Sequence, residues 1–320
     1  MNSKKPMFSV VIPLYNKEAH VAETINSALS QTYRDFELIV VDDGSTDKSL
    51  QIALSITDPR LKVFSKKNGG VSDARNHGIK KSNHQYIALL DADDNWEPGF
   101  LAEMKRLIDK YPFCGLYAAA YKKINPVTST INPVTSTIYG NEVQEGIVDD
   151  FFKVKLKHHV PWSSAIVINK SVFDNVGGFP VGMIGGEDDY TWAKIATKYN
   201  IAFTPKVLAV YKDTCVSHNA RLGRIDSCKE SWFDLYQEGD FYRNEFIARK
   251  AIYAGIRYAY SPSRDKSNEI EKQTEFTVLS KKLWWDLYIL NRVPYQGLVM
   301  WKTMSPRYRK VKHWVKQLIK

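Results

Sequence analysis

Cysteine is scarce in this chain: 320 residues contain only Cys114, Cys215 and Cys228. They have no metal-like spacing and are too few for a disulfide framework, so a reducing, cytosolic setting is expected. No run of 18 uninterrupted apolar residues occurs, which predicts no transmembrane helix. The apolar run in "MNSKKPMFSVVIPLYNKE" is too short for a signal-peptide core, and no small-residue cleavage site follows it. Acids are nearly missing from one region. From residue 281 to 320, ten Lys and Arg face the single acid Asp286, a surplus of nine in a chain of formal net charge +10. The other 280 residues are therefore close to neutral, and the basicity belongs to a tail. That argues against nucleic acid as a partner of the whole chain.

What is present fits a globular protein of one large or two medium domains, with 44% apolar and 25% charged residues. Residues 8–16, "FSVVIPLYN", read as a buried strand running into a loop. A helical pattern follows at Val21, Ile25, Ala28 and Leu29. "FELIVVDDGSTD" is a second strand closed by turn residues, and 49–56 is a helix. "LKVFSKK" is a third strand, "GGVSDARNHGIKKS" a turn and helix, and "YIALL" a fourth strand. Alternating strands and helices predict right-handed βαβ units and a mostly parallel, Rossmann-like sheet. Ligands of such sheets bind beyond the carboxyl ends of the strands. Asp42 and Asp43, and Asp91, Asp93 and Asp94 of "LLDADDNWEP", fall at those ends. Like charges so close repel, and two explanations are open: a bound cation, or an acidic turn capping a helix over 98–109.

The seven-residue unit in "INPVTSTINPVTST", residues 124–137, repeats once in tandem, which is too few for a solenoid and suits an exposed hairpin or loop. "GGEDDYTWAKIATKYN" opens a helix with three acids in its first turn, where the helix dipole favours them. "IAFTPKVLAVYK" is a last strand, and from about Arg221 the chain turns helical, basic and aromatic. Ser305 and Pro306 start a final helix whose Tyr308, Val311, Trp314, Val315 and Leu318 form an apolar stripe. With Trp284, Trp285, Trp301 and Trp314 among its cations, the tail at 281–320 suits an anionic membrane surface or nucleic acid, the alternative being that its stripe packs on the domain.

"VVIPLYNKE", "ELIVVDDGSTD", "NGGVSDARNHGI", "LLDADD", "VGGFP" and "GEDDYTW" occur in this order. Together they resemble family 2 inverting glycosyltransferases with a GT-A fold, over roughly residues 6–215. The resemblance implies a GT-A catalytic domain over 1–220, followed by a mainly α-helical region over 221–320. It implies a nucleotide-sugar donor, a UDP-sugar, whose departing diphosphate a divalent Mn²⁺ or Mg²⁺ neutralises. Carried onto this sequence, Asp93 is the direct metal ligand and Asp91 meets the ribose or a metal-bound water, with Ala92 between them in the donor site. Asp94 is a supporting or alternative ligand, or with Asn95 only the start of the next helix. Asp43 accepts from the uracil ring, and Asp42 is a turn residue. Pro13, Tyr15 and Asn16 form a loop cradling the nucleoside, and Arg75 lies near base or phosphate.

Inverting transfer needs a base on the acceptor side. The resemblance assigns Asp188 that role and Glu187 hydroxyl binding, while Asp189 faces solvent or complements the helix dipole. His218 is a candidate third metal ligand, and Trp162 a candidate platform for an acceptor sugar. The acceptor implied is a glycan or lipid-linked hydroxyl at the cytosolic membrane face, in bacterial surface-polysaccharide (lipopolysaccharide or capsule) assembly. A processive synthase fits less well, because the Gln-x-x-Arg-Trp motif is missing. A nucleotidyltransferase would carry a Gly-rich, cationic signature near the N-terminus, which "VVIPLYNKE" is not. A non-catalytic nucleotide-sugar-binding module would have lost the base or a metal ligand, and neither is lost.

Overall fold

The computed structural model describes residues 8–124, 131–134, 144–158, 161–212 and 222–303. They form two compact units: residues up to 212 together with Ser227–Ser231, and 222–226 together with 232–303.

The first unit opens with β1 (Phe8–Leu14), α1 (Val21–Leu29), β2 (Phe36–Asp42), α2 (Ser49–Ser55), β3 (Leu61–Ser65), α3 (Val71–Lys81) and β4 (Tyr86–Leu89). β1 lies between β2 and β4, β3 lies outside β2, and all four are parallel. Every residue of β1, β2 and β4 is buried, which is why they read as apolar runs without alternation. Then come β5 (Asn95–Trp96), α4 (Phe100–Lys110), β6 (Cys114–Ile124), β7 (Ile131–Val134), β8 (Gly146–Ile147) and α5 (Phe151–Lys157). The unit closes with β9 (Ile166–Asn169), α6 (Val172–Val176), α7 (Glu187–Ala196) and β10 (Asn200–Lys212).

The sheet order is β3-β2-β1-β4-β9-β6-β10-β5. β9 runs antiparallel to both β4 and β6, and β10 is parallel to β6. Hence β3, β2, β1, β4, β6 and β10 point the same way, and the mostly parallel α/β sheet stands. The inserted β9 has one consequence for the site. Because Ile166 pairs with Leu89, the entry to β9 lies beside the exit from β4. The 3₁₀ turn Ser163–Ala165 is that entry.

The two repeat copies begin at Ile124 and Ile131, which pair with each other across the antiparallel β6–β7 ladder. In the second unit, α8 (Phe241–Ala259), α9 (Asp265–Gln273), α10 (Lys281–Arg292) and α11 (Tyr295–Thr303) follow one another. α10 buries Trp284 and Leu287 against Ile252 of α8, while Trp285 and Ile289 are exposed. The basic tail is thus partly built into a helical core. The helix expected from Ser305 onward lies outside the described residues.

Candidate active site

The acidic stretch does not cap α4. That helix starts at Phe100 with Gly99 as its N-cap and no side-chain cap. Instead residues 91–94 form a tight turn, closed by an Asp94 N–H to Asp91 carbonyl bond of 3.0 Å. The Thr24 hydroxyl of α1 sits 3.0 Å and 2.8 Å from the carbonyls of Ala92 and Asp94. β5 then pairs with the end of β10, which anchors the far side of the turn.

The acids of this turn have separate partners. Asp91 accepts from the Arg75 guanidinium at 2.8 Å. Asp93 is ion-paired with the Lys17 ammonium. Ala92 is buried between them. Asp94 is 2% exposed, accepting from the Ser164 hydroxyl at 2.6 Å and from the Lys212 N–H at 3.3 Å. Burial and the adjacent Asp91 push its carboxyl well above the ordinary carboxylate range. Asp94 is therefore neither a helix cap nor an outward-facing ligand. Asn95 belongs to β5 and donates to Glu23 at 2.5 Å.

Arg75 lies on α3 and is 3% exposed. Besides Asp91 it faces Glu187, at 3.8 Å from Nη1 to Oε1. Its Nε and Nη1 have no hydrogen-bond partner. Burial alone would weaken the guanidinium's hold on its proton, but Asp91, Glu187 and Asp188 outweigh that and raise it. The "VGGFP" stretch explains how this cation is held. The Asn76 side chain bonds both the N–H and the carbonyl of Phe179, at 2.8 Å and 2.9 Å, and the Phe179 ring lies under the guanidinium. A Cβ on Gly178 would come 2.5 Å from Asn76 Oδ1, so only glycine admits this clamp.

Glu187, Asp188 and Asp189 form the first turn of α7, whose N-cap Gly186 is left-handed. Asp188 accepts from the Ser163 hydroxyl at 3.2 Å and from the Asp189 N–H at 2.7 Å. Asp189, expected to face solvent or complement the helix dipole, does lie in the first turn of α7, and it pairs with Lys155 of α5 at 2.7 Å. Arg75 thus joins the turn after β4 to the start of α7, and brings Asp91, Glu187 and Asp188 to one place.

The residues expected to cradle the nucleoside lie at the ends of β1 and β2. Pro13 is a buried residue of β1 opposite Val41, so the loop begins only at Tyr15. Tyr15 is 47% exposed. Asn16 has φ 49° and accepts from the Thr46 N–H at 2.8 Å, tying the first loop to the second. Asp43 is buried, accepting from the Gly69 and Gly70 N–H groups at 2.9 Å and 2.7 Å and from Lys66 at 2.6 Å. Asp42 closes β2 and accepts from Ser45 and Ser65. Trp162 packs against the rings of Tyr121 and Tyr211, with centroids 4.5 Å and 5.3 Å away. His218 lies outside the described residues.

Among the described residues, no three His, Cys, Asp or Glu side chains converge as a metal cluster. Asp91 and Asp93 are nonetheless hard oxygen donors of the kind Mg²⁺ and Mn²⁺ take. Each already faces a cation, Arg75 and Lys17, with which a divalent ion would compete. The motif reading missed Lys17, Lys155, Ser163 and Ser164. The first stood in "VVIPLYNKE" and the serines in "VPWSSA", but no local pattern marks them.

The sequence profile described as Glycosyl transferase family 2 matches residues 9–177, more than half of the chain. The chain belongs to glycosyltransferase family 2. The match ends before α7, so Glu187 and Asp188 rest on geometry and motif. This family 2 chain is 32% identical over 202 residues to an uncharacterized glycosyltransferase of Rickettsia conorii, spanning 63% of the chain but only 32% of that protein. A second relative, from Rickettsia typhi, is 28% identical over 239 residues, 72% of each. The structure is similar to S. aureus TarS 1-349 crystallised with UDP-GlcNAc, with TM-score 0.57 and 20% identity over 88% of this chain and 79% of that one. At that identity the likeness speaks for the GT-A fold alone.

Proposed function

We propose that this family 2 chain is an inverting, non-processive glycosyltransferase that moves a sugar from a UDP-sugar to a hydroxyl of a glycan or lipid-linked acceptor. The observation that carries the reading is the Arg75 bridge, which sets donor-side Asp91 beside acceptor-side Glu187 and Asp188. The UDP-GlcNAc complex of TarS supports a UDP-sugar as donor. Tyr15, Asn16 and Asp43 hold the nucleoside, and the buried Arg75 cation lies near the diphosphate and holds Asp91 in place. Asp91 meets the ribose, and Asp93 holds a Mn²⁺ or Mg²⁺ ion. When bound, that ion neutralises charge on the leaving diphosphate. Asp188 takes the proton of the acceptor hydroxyl as its oxygen attacks the anomeric carbon from the face opposite the nucleotide. Glu187 binds a neighbouring hydroxyl, and Trp162 offers a face for the acceptor ring.

We infer that the enzyme sits peripherally on an anionic membrane, in surface-polysaccharide assembly. Ten Lys and Arg against one acid over 281–320, and the exposed Trp285 and Ile289, support this. A donor-hydrolysis screen across UDP-, GDP- and dTDP-sugars, with and without Mn²⁺, tests the core of the reading. Metal-stimulated release of UDP is expected; no turnover or binding of any nucleotide sugar would contradict it.

A further inference from the structure

We propose that Ser163 is a positioning residue for the base, and that Ser164 does the same for the donor loop, so that one turn sets both halves of the reaction centre. The proposal rests on the reading of Asp188 as base. Both serines are buried, at 1% and 0% exposure, on the 3₁₀ turn before β9. A buried hydroxyl is costly unless it is bonded, and here each is bonded to a site acid.

The Ser164 hydroxyl donates to Asp94 Oδ2 at 2.6 Å and accepts from the Asp91 N–H at 3.0 Å. Its carbonyl accepts from Trp96 Nε1 at 2.6 Å. It therefore fixes the first residue of the acidic turn, its last residue and the strand that follows. Ser163 turns the other way and donates to Asp188 Oδ2 at 3.2 Å, while Asp188 Oδ1 accepts from the Asp189 N–H at 2.7 Å. One donor on each oxygen fixes the plane of the carboxylate, and each oxygen keeps lone pairs for an acceptor hydroxyl. The topology makes this possible: antiparallel β9 starts where parallel β4 ends, so consecutive residues reach the donor turn and the start of α7. A proton acceptor misplaced by about 1 Å loses much of its rate, so a fixed carboxylate matters to transfer more than to binding.

The test compares kcat for UDP-sugar turnover with Kd for UDP plus Mn²⁺ in the full chain. Ser163→Ala should lower kcat about ten- to a hundredfold, the loss expected for one hydrogen bond to a charged group, and leave Kd within about twofold. Ser163→Thr, which keeps the hydroxyl, should recover most of kcat. Ser164→Ala should instead weaken UDP binding about tenfold. If Ser164→Ala does not fold, Ser163→Ala decides alone. An unchanged kcat in Ser163→Ala, beside an inactive Asp188→Asn, would overturn the inference and leave the base in place. A fully active Asp188→Asn would remove the base reading and this inference with it.

Discussion

Arg75 and Asp91 are joined by a 2.8 Å ion pair in which the guanidinium is almost wholly buried. Without that cation, Asp91, Glu187 and Asp188 would be left facing one another. Arg75→Met keeps the volume and removes the charge. It should cost about 3 kcal/mol of stability, as for other broken buried pairs, read from urea unfolding. UDP binding should fall in the same variant. Arg75→Lys should retain most of the stability but bind UDP more weakly, since the planar two-pronged donor is gone.

Lys17 holds the Asp93 carboxylate that is proposed to bind metal. The ammonium and a divalent ion then compete for one carboxylate. Lys17→Ala should tighten Mn²⁺ binding, without nucleotide, by about two- to fivefold, the usual worth of a partly exposed pair. Asp93→Ala should abolish the effect of Mn²⁺ on UDP affinity, and chelation of the unsubstituted protein should reproduce that loss. Calorimetric titration reads both.

The first half of the fold could be read from the sequence because its strands are buried on both faces and its helices are local. Asp91, Asp93 and Asp188 could be named as candidates because they sit in motifs at strand ends and a helix start. The rest depends on contacts remote in sequence. Asp94 looked like its neighbours, yet Ser164 and the Lys212 N–H, 70 and 118 positions away, take it into the interior. The residues of β9 read as a strand, but nothing in them marked its antiparallel place between β4 and β6, and without that Ser163 and Ser164 had no reason to lie near the acids. Pro13 sits in a strand rather than a loop: it lies opposite Val41 of β2 but two residues past Val11, where the ladder to β4 ends, so that side of the strand is an edge that tolerates proline.

Two buried carboxylates away from the site govern acid stability. Burial would raise Glu37, but Lys62, Ser9 and Asn83 outweigh it and hold its carboxyl at about 2. Glu103 is likewise held at about 2, where Arg106 and Lys206 overcome burial. Both folded values lie below the ordinary 4.5, so their stabilisation is fully present above that pH and fades as pH falls towards 2. Urea midpoints should therefore drop between pH 5 and about pH 2.5, and more gently in Glu37→Gln, which is also less stable at pH 7.

Deleting residues 281–320 would strip Trp284 and Leu287 from the helical core, so it cannot isolate membrane binding. Lys282→Glu with Trp285→Ser alters only exposed positions of α10. Sedimentation with vesicles containing phosphatidylserine should fall several-fold in that variant, and should fall with salt in the unsubstituted protein. Thermal unfolding should shift by the equivalent of about 1–2 kcal/mol, because Trp285 also packs against the rings of Trp284 and Tyr288.

The most direct measurement is transfer from a UDP-sugar by Asp188→Asn, alongside its affinity for UDP and Mn²⁺. The exchange keeps the shape of the side chain and its place at the head of α7 while removing the proton acceptor. Transfer should fall at least about a thousandfold with UDP affinity within about twofold. Near-normal transfer would contradict the assignment of the base, and with it the view that Arg75 joins a donor site to an acceptor site.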